Sequence, residues 1–178
     1  MKKVLYFAAL LLTMTLTTSC EKEKVGNTAT VETAGQWYVT VDAADENGNV
    51  VEGFEDLFGL GRVLMVTSNT AANTPTEMIV DDLQNFWGYR VKVVVDPVNM
   101  TFATNTTENN NLVAGYEDIN VTITKGKIVK DGGKQNNGSP ADYIEFYVSF
   151  SDDPYPEKYG YSSYKVSGVR YSGLSEND

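Results

Sequence analysis

Few residues in this chain are of types that do chemistry, and those types exclude more than they permit. Of 178 residues none is histidine and a single one, Cys20, is cysteine. Hydrolysis near neutral pH usually relies on a group that exchanges a proton there, most often histidine. The segment Gly160-Tyr161-Ser162-Ser163-Tyr164 lacks the last glycine of a Gly-x-Ser-x-Gly nucleophile elbow. Carboxylates remain, because glycoside hydrolysis needs only two of them about 5–10 Å apart. The chain offers Asp81-Asp82 and Asp152-Asp153. Neighbours on a strand point to opposite faces, so both pairs read as strand-end or turn residues rather than as dyads. Asp45-Glu46-Asn47-Gly48-Asn49 is similar to the start of a calcium loop but has no bidentate glutamate at its end. It reads as a hairpin turn. No metal and no cofactor is expected, and the sequence leans away from an enzyme.

Aromatic residues are the remaining lead. Seven of the eleven tyrosines lie beyond residue 142, concentrated where the last two strands and the loop between them should be. That loop contains Tyr155 and Tyr159, while Phe86, Trp87 and Tyr89 open another strand. If both segments sit at one end of the fold, these five residues form a rim able to hold an apolar or sugar ligand. Otherwise the tyrosines cover strand surfaces and hold loops down.

The cysteine has a different role. Lys2 and Lys3, the apolar run Val4–Leu12 and the small residues Thr17, Thr18 and Ser19 have the layout of a secretory signal peptide. The run is well short of the ~20 residues of a spanning helix. Leu16-Thr17-Thr18-Ser19-Cys20 resembles a bacterial lipobox, in which cleavage before the cysteine precedes its acylation. Two or more acyl chains anchor stably where one does not. The expected organisation is a signal peptide over 1–19, lipidated Cys20 and a polar, flexible tether over 20–34, and one domain over 35–178. Loss of Lys2 and Lys3 takes the formal charge from −10 to −12. Such an acidic chain repels phosphate backbones, so nucleic acid is excluded as a partner. The membrane is reached through the lipid, and the expected location is the outer membrane, on its periplasmic or cell-surface face.

Beyond residue 35 apolar and polar residues alternate with the period of strands. The clearest cases are 36–42, 119–124 and 143–150, with 62–67, 77–80, 89–95, 98–102, 127–130 and 164–171 weaker. Asn47-Gly48, Asp96-Pro97, Lys125-Gly126 and Asp131-Gly132-Gly133 punctuate them as turns. At most one helical turn is expected, over 80–86. Eight or nine strands with one apolar face each make an all-β sandwich or barrel. Gly35-Gln36-Trp37 in the first strand and Gly168-Val169-Arg170 in the last favour a single antiparallel up-and-down barrel of about eight strands. In lipocalin-like (calycin) barrels a Gly-x-Trp packs under a cationic side chain near the chain's end, which assigns barrel closure to Trp37 and Arg170.

Several segments together resemble the lipid-binding putative hydrolase lipoproteins of Bacteroidetes: 35–40, 68–73, 77–82, 121–128, 150–154 and Gly168-Val169-Arg170-Tyr171-Ser172-Gly173. The resemblance implies a lipocalin-like barrel and a small apolar ligand such as a lipid. Two other functions are compatible with the sequence. One is a non-catalytic interaction module of a cell-surface assembly, with protein partners on outer faces and a solid interior. The other is a carboxylate-based hydrolase. A carrier needs room among the inward side chains, whereas in a packed module Trp37, Phe146, Phe150 and Tyr164 meet at the centre.

Overall fold

Alternation along each strand places one row of side chains on a common face, and closing the sheet turns that face into an interior. The computed structural model describes residues 27–174; the expected signal peptide and Cys20 lie outside the described residues. Eight strands follow one another: β1 (Gly35–Ala44), β2 (Val63–Asn69), β3 (Glu77–Asp81), β4 (Arg90–Asp96), β5 (Thr101–Ala103), β6 (Val121–Lys134), β7 (Pro140–Phe150) and β8 (Ser163–Arg170). Each pairs antiparallel with the next and β1 pairs with β8, which gives the closed up-and-down barrel expected from the sequence. One short helix, α1 (Tyr155–Tyr159), lies between β7 and β8.

The elements differ from the sequence reading where turn residues serve another purpose. Lys125-Gly126 does not end a strand. Lys125 adopts φ 52° and the β6–β7 register shifts between Thr124 and Lys127, so the pair forms a bulge inside one 14-residue strand. Asp131, also at φ 52°, marks a second shift that ends at Gly133. Val98–Met100 belongs to the turn before β5. Residues 80–86 form a strand end and turns, and the helical turn lies at 155–159 instead. Asp45–Asn49, by contrast, is the hairpin turn expected, closed by an antiparallel bridge between Ala44 and Val50 at the start of a long β1–β2 connection.

The closing seam pairs eight residues of β1 with eight of β8, Trp37 opposite Arg170 and Val39 opposite Gly168. A Cβ on Gly168 would collide with the carbonyl of Tyr38, so only glycine allows the strands to approach here. Arg170 lies over the Trp37 ring, 4.4 Å from its centroid. Its Nε donates to Asp142 (3.0 Å), and its terminal nitrogens donate to the carbonyls of Ala34 and Glu32. Trp37 Nε1 donates to Thr67 Oγ1 (2.8 Å), which donates to the carbonyl of Thr33 (2.6 Å). Residues 28–34, assigned to the tether by composition, therefore form a turn packed across this end, with Thr30 and Thr33 buried. Their backbone carbonyls accept from Arg170 and Thr67 instead of belonging to a solvated linker.

Side chains fill the interior at every level. Trp37 occupies the base, Phe102 and Phe146 meet in the middle at 5.7 Å, and Phe150 and Tyr164 lie 6.2 Å apart towards the far end. Trp37, Met65, Met78, Ile123, Ile144, Phe146 and Tyr164 are fully buried in one cluster. A crevice of about 550 Å³ beside Val94, Phe102, Ala103 and Gly126 opens on the outer wall, where β5 is short, and not inside.

Replacing Arg170 by Met removes the ring contact and the hydrogen-bond fork while keeping the aliphatic stem. The expected loss is about 2–3 kcal/mol, or roughly 5–10 °C in Tm for a domain of this size. Arg170→Lys keeps the charge without the fork and falls between. Thermal melts of the three proteins check the order.

Candidate functional site

In an up-and-down barrel alternate connections emerge at alternate ends. The four long ones, 45–62, 82–89, 104–120 and 151–162, all emerge opposite the Trp37–Arg170 end; the short turns 70–76, 97–100 and 135–139 emerge beside it. The long-loop end is the mouth.

Asp82 builds the first wall. Its Oδ1 accepts the backbone N–H groups of Gln84 and Tyr89 (both 2.9 Å), and its Oδ2 those of Phe86 (3.3 Å), Trp87 (3.0 Å) and Gly88 (2.9 Å). Five donors converge on one buried carboxylate and hold the 83–88 loop in a tight curl, with Leu83 at φ 54° and Gln84 at φ 61°. Next to it Asp81 accepts from Leu83 N (2.9 Å) and from Arg90 Nε (2.7 Å). The curl turns Phe86 and Trp87 over the mouth, half-buried.

The β7–β8 connection builds the opposite wall. Trp87 Nε1 donates to Asp152 Oδ1 (2.9 Å), and its ring lies parallel to Phe150 at 4.9 Å. Asp153 Oδ1 accepts from Tyr155 N (2.9 Å), its Oδ2 from the Tyr164 hydroxyl (2.7 Å), and the Tyr164 hydroxyl lies 2.6 Å from that of Tyr161. Of the two acidic pairs, Asp82, Asp152 and Asp153 are thus engaged in orienting the aromatic end, and Asp81 holds Leu83 N and Arg90. Among the described residues no group of three or more Asp, Glu, His or Cys is placed to hold a metal ion.

Of the five aromatic residues expected to bind ligand, Phe86, Trp87 and Tyr155 come together, with Trp87 and Tyr155 edge-to-face at 6.4 Å. Tyr89 is 1% exposed and packs 5.4 Å from Phe150, so it belongs to the floor. Tyr159 lies outward, stacked on Tyr155 at 6.0 Å and 5.8 Å from Phe54. Sequence reasoning missed Phe58. The β1–β2 connection crosses the mouth with Phe54, Leu57 and Leu60 packed on the core, and Phe58 inserts among the rings. Its available signal was four large apolar residues in a stretch otherwise composed as a loop. Asp56 pins this cover: its N–H donates to Asp42 Oδ1 (2.9 Å) and its carboxylate accepts from Leu60 and Gly61.

Charge separates the two ends. The four mouth loops contain twelve Asp and Glu against Arg62 and Lys158, whereas the three short turns opposite contain no charged residue.

A family model described as "lipid-binding putative hydrolase" matches residues 22–175. No curated protein matches the chain.

Asp82→Ala leaves five buried or half-buried N–H groups without their acceptor. The expected cost is about 2–4 kcal/mol, with a shift in Trp87 emission as the curl opens; a melt and a fluorescence spectrum check both. A second outcome concerns proton binding. Burial pushes the Tyr161 hydroxyl up to about 12, against some lowering from its bond to Tyr164, and burial likewise raises Tyr164 and Tyr89. A raised phenol stabilises the fold fully below its unfolded value near 10 and loses that contribution as pH climbs through the folded value. At about pH 11 the native chain should therefore keep these three tyrosines protonated. Unfolding at that pH should release them together as tyrosinates, read by absorbance, and stability should decline from about pH 10 upward.

Proposed function

The chain belongs to the lipid-binding putative hydrolase family, and from that premise we propose that it is an outer-membrane lipoprotein that holds a lipid or similar apolar ligand at the aromatic mouth of its barrel. In this reading the signal peptide is cleaved before Cys20, the cysteine is acylated, and the residues up to about 27 connect the anchor to the barrel. The observation that carries the ligand site is the placement of Phe86, Trp87 and Tyr155 above Tyr89, Phe150 and Tyr164, all beneath an apolar loop. The filled interior supports a ligand at this end rather than along the barrel axis.

Binding follows from burial. The β1–β2 loop lifts, the ligand enters between it and the two walls, and the loop closes over it. Each 100 Å² of chain removed from water contributes about 2.5 kcal/mol before ordering costs. The carboxylates of Asp82, Asp152 and Asp153 act through the rings that they orient. They prearrange the walls, so little order is lost when ligand arrives. With both acidic pairs committed to these bonds, a hydrolytic role is not part of the proposal.

A second reading, a non-catalytic interaction module at the cell surface, is supported by the same filled interior. One experiment separates the two. The full chain, extracted from membranes in mild detergent, is analysed by native mass spectrometry and then delipidated. The expected result is one lipid per chain beyond the acyl groups on Cys20, whose removal lowers Tm. A lipid-free chain with an unshifted melt favours the interaction module. Separately, Cys20→Ser should abolish incorporation of a labelled fatty acid and release the chain from the membrane fraction; an unacylated, free Cys20 thiol in the native protein would refute the anchor.

A further inference from the structure

The position of Phe58 identifies a class of ligand. Its ring is held by four others: Phe86 at 5.6 Å, Trp87 at 6.0 Å, Tyr155 at 5.6 Å and Tyr164 at 5.8 Å between centroids. Those four come from one loop, α1 and β8 and also touch one another, Phe86 to Tyr164 at 5.0 Å and Trp87 to Tyr164 at 6.0 Å. Their arrangement is fixed independently of Phe58, by Asp82 beneath the curl, by Asp152 on the Trp87 indole and by Asp153 on Tyr164 and the backbone of Tyr155. Phe58 itself comes from the β1–β2 connection, which Asp56 ties to β1. It is 36% exposed and is flanked by Asp56, Gly59 and Gly61, all at positive φ, and a Cβ on either glycine would meet nothing within 4 Å. A prearranged four-ring cage is thus occupied by one side chain from the loop that crosses the mouth.

We propose that this cage receives an alkylated ammonium head, and that Phe58 holds its place in the unliganded protein. The inference rests on the reading of the mouth as the ligand site and adds the ligand's charge. Aromatic faces are electron-rich and attract cations, quaternary ammonium above all. The surrounding loops add twelve carboxylates against two cations, a potential that draws a cation in and repels an anionic headgroup. Asp152 and Asp153 lie at the cage wall and can face the positive head without a direct bond to it. The ligand is therefore an amphiphile with a methylated ammonium at one end and an apolar chain that runs under Phe54, Leu57 and Leu60. A free cationic amphiphile and a zwitterionic choline phospholipid share this head.

The test uses the full chain and calorimetry with four probes below their micellar limits: octyltrimethylammonium, its neutral isostere with a tert-butyl in place of the trimethylammonium, octyl sulfate, and dihexanoylphosphatidylcholine. Octyltrimethylammonium should bind one per chain, about ten-fold more tightly than the neutral isostere, with octyl sulfate weaker still. Tyr155→Ala, which removes one wall and no charge, should erase that preference. Phe58→Ala should tighten the cation's binding by removing its internal competitor; Phe58→Leu, closer in volume, should tighten it less and guards against a misfolded alanine variant. Binding of the phospholipid as well points to a membrane lipid as the source of the head, and its failure to bind beside a tight cation points to a free amphiphile. Equal affinity for the cationic and neutral probes, or preference for the sulfate, overturns the inference while leaving the mouth as an apolar site. If none of the four binds, the proposed function fails with it.

Discussion

Everything in this molecule depends on β1 closing against β8. Eight register pairs join the strands, and Gly168 lets them approach across Val39. Arg170 then ties the seam to the segment before β1, to β7 and to the face of Trp37. Without that closure two sheet edges would carry unpaired backbone groups, and the inward row of each strand would face water. The clamp also seals one end. Once 28–34 is packed across it, the opposite end alone keeps long loops free to recognise something.

The two ends divide the work by composition. The sealed end is joined by short, uncharged turns, and Arg170 and Thr67 bond the backbone carbonyls and the Trp37 indole there. The mouth concentrates carboxylates and rings. Part of that acidity is structural: Asp82 replaces a helix or turn scaffold with five accepted N–H bonds, while Asp152 and Asp153 fix ring orientations. Asp56 likewise holds the β1–β2 loop, and most of the remaining carboxylates are exposed and set the potential around the rings. An eight-stranded barrel has room either for packed side chains or for one small ligand, and here Phe102, Phe146, Met65 and Met78 take that space. Recognition consequently moves to the loops, where rings held by carboxylates provide an apolar surface with fixed geometry.

The sequence disclosed those parts of the fold that depend on local period. Residues 143–150 and 36–42 alternate without interruption, and both are strands whose apolar faces are fully buried. The partnership of Trp37 with Arg170 was legible through the resemblance of Gly35-Gln36-Trp37 and the late arginine to the closing motif of lipocalin-like barrels. Lys125-Gly126 misled because the same positive-φ preference serves a turn or a bulge, and only the partner strand decides which. The rim at Phe86, Trp87 and Tyr155 could be expected as a cluster, but its support could not. Asp82 acts on the backbone of its own loop, a role that no residue type signals, and Phe58 reaches the rings from a connection distant in sequence. Tyr89 and Tyr159 were grouped with the rim by proximity in sequence, while strand parity sends one to the floor and α1 carries the other outward.

The central claim is that ligand lies at the mouth and not within the barrel, and the two tryptophans allow a direct measurement. Trp37 marks the sealed base and Trp87 the mouth, and the chain has no others. An amphiphile brominated along its chain quenches tryptophan only at close range, so its titration into the full chain reports where the chain lies. The account predicts quenching of the Trp87 component, with the buried, blue-shifted Trp37 emission left intact at saturation. Quenching of Trp37 to the same degree would place the ligand inside the barrel and contradict the account.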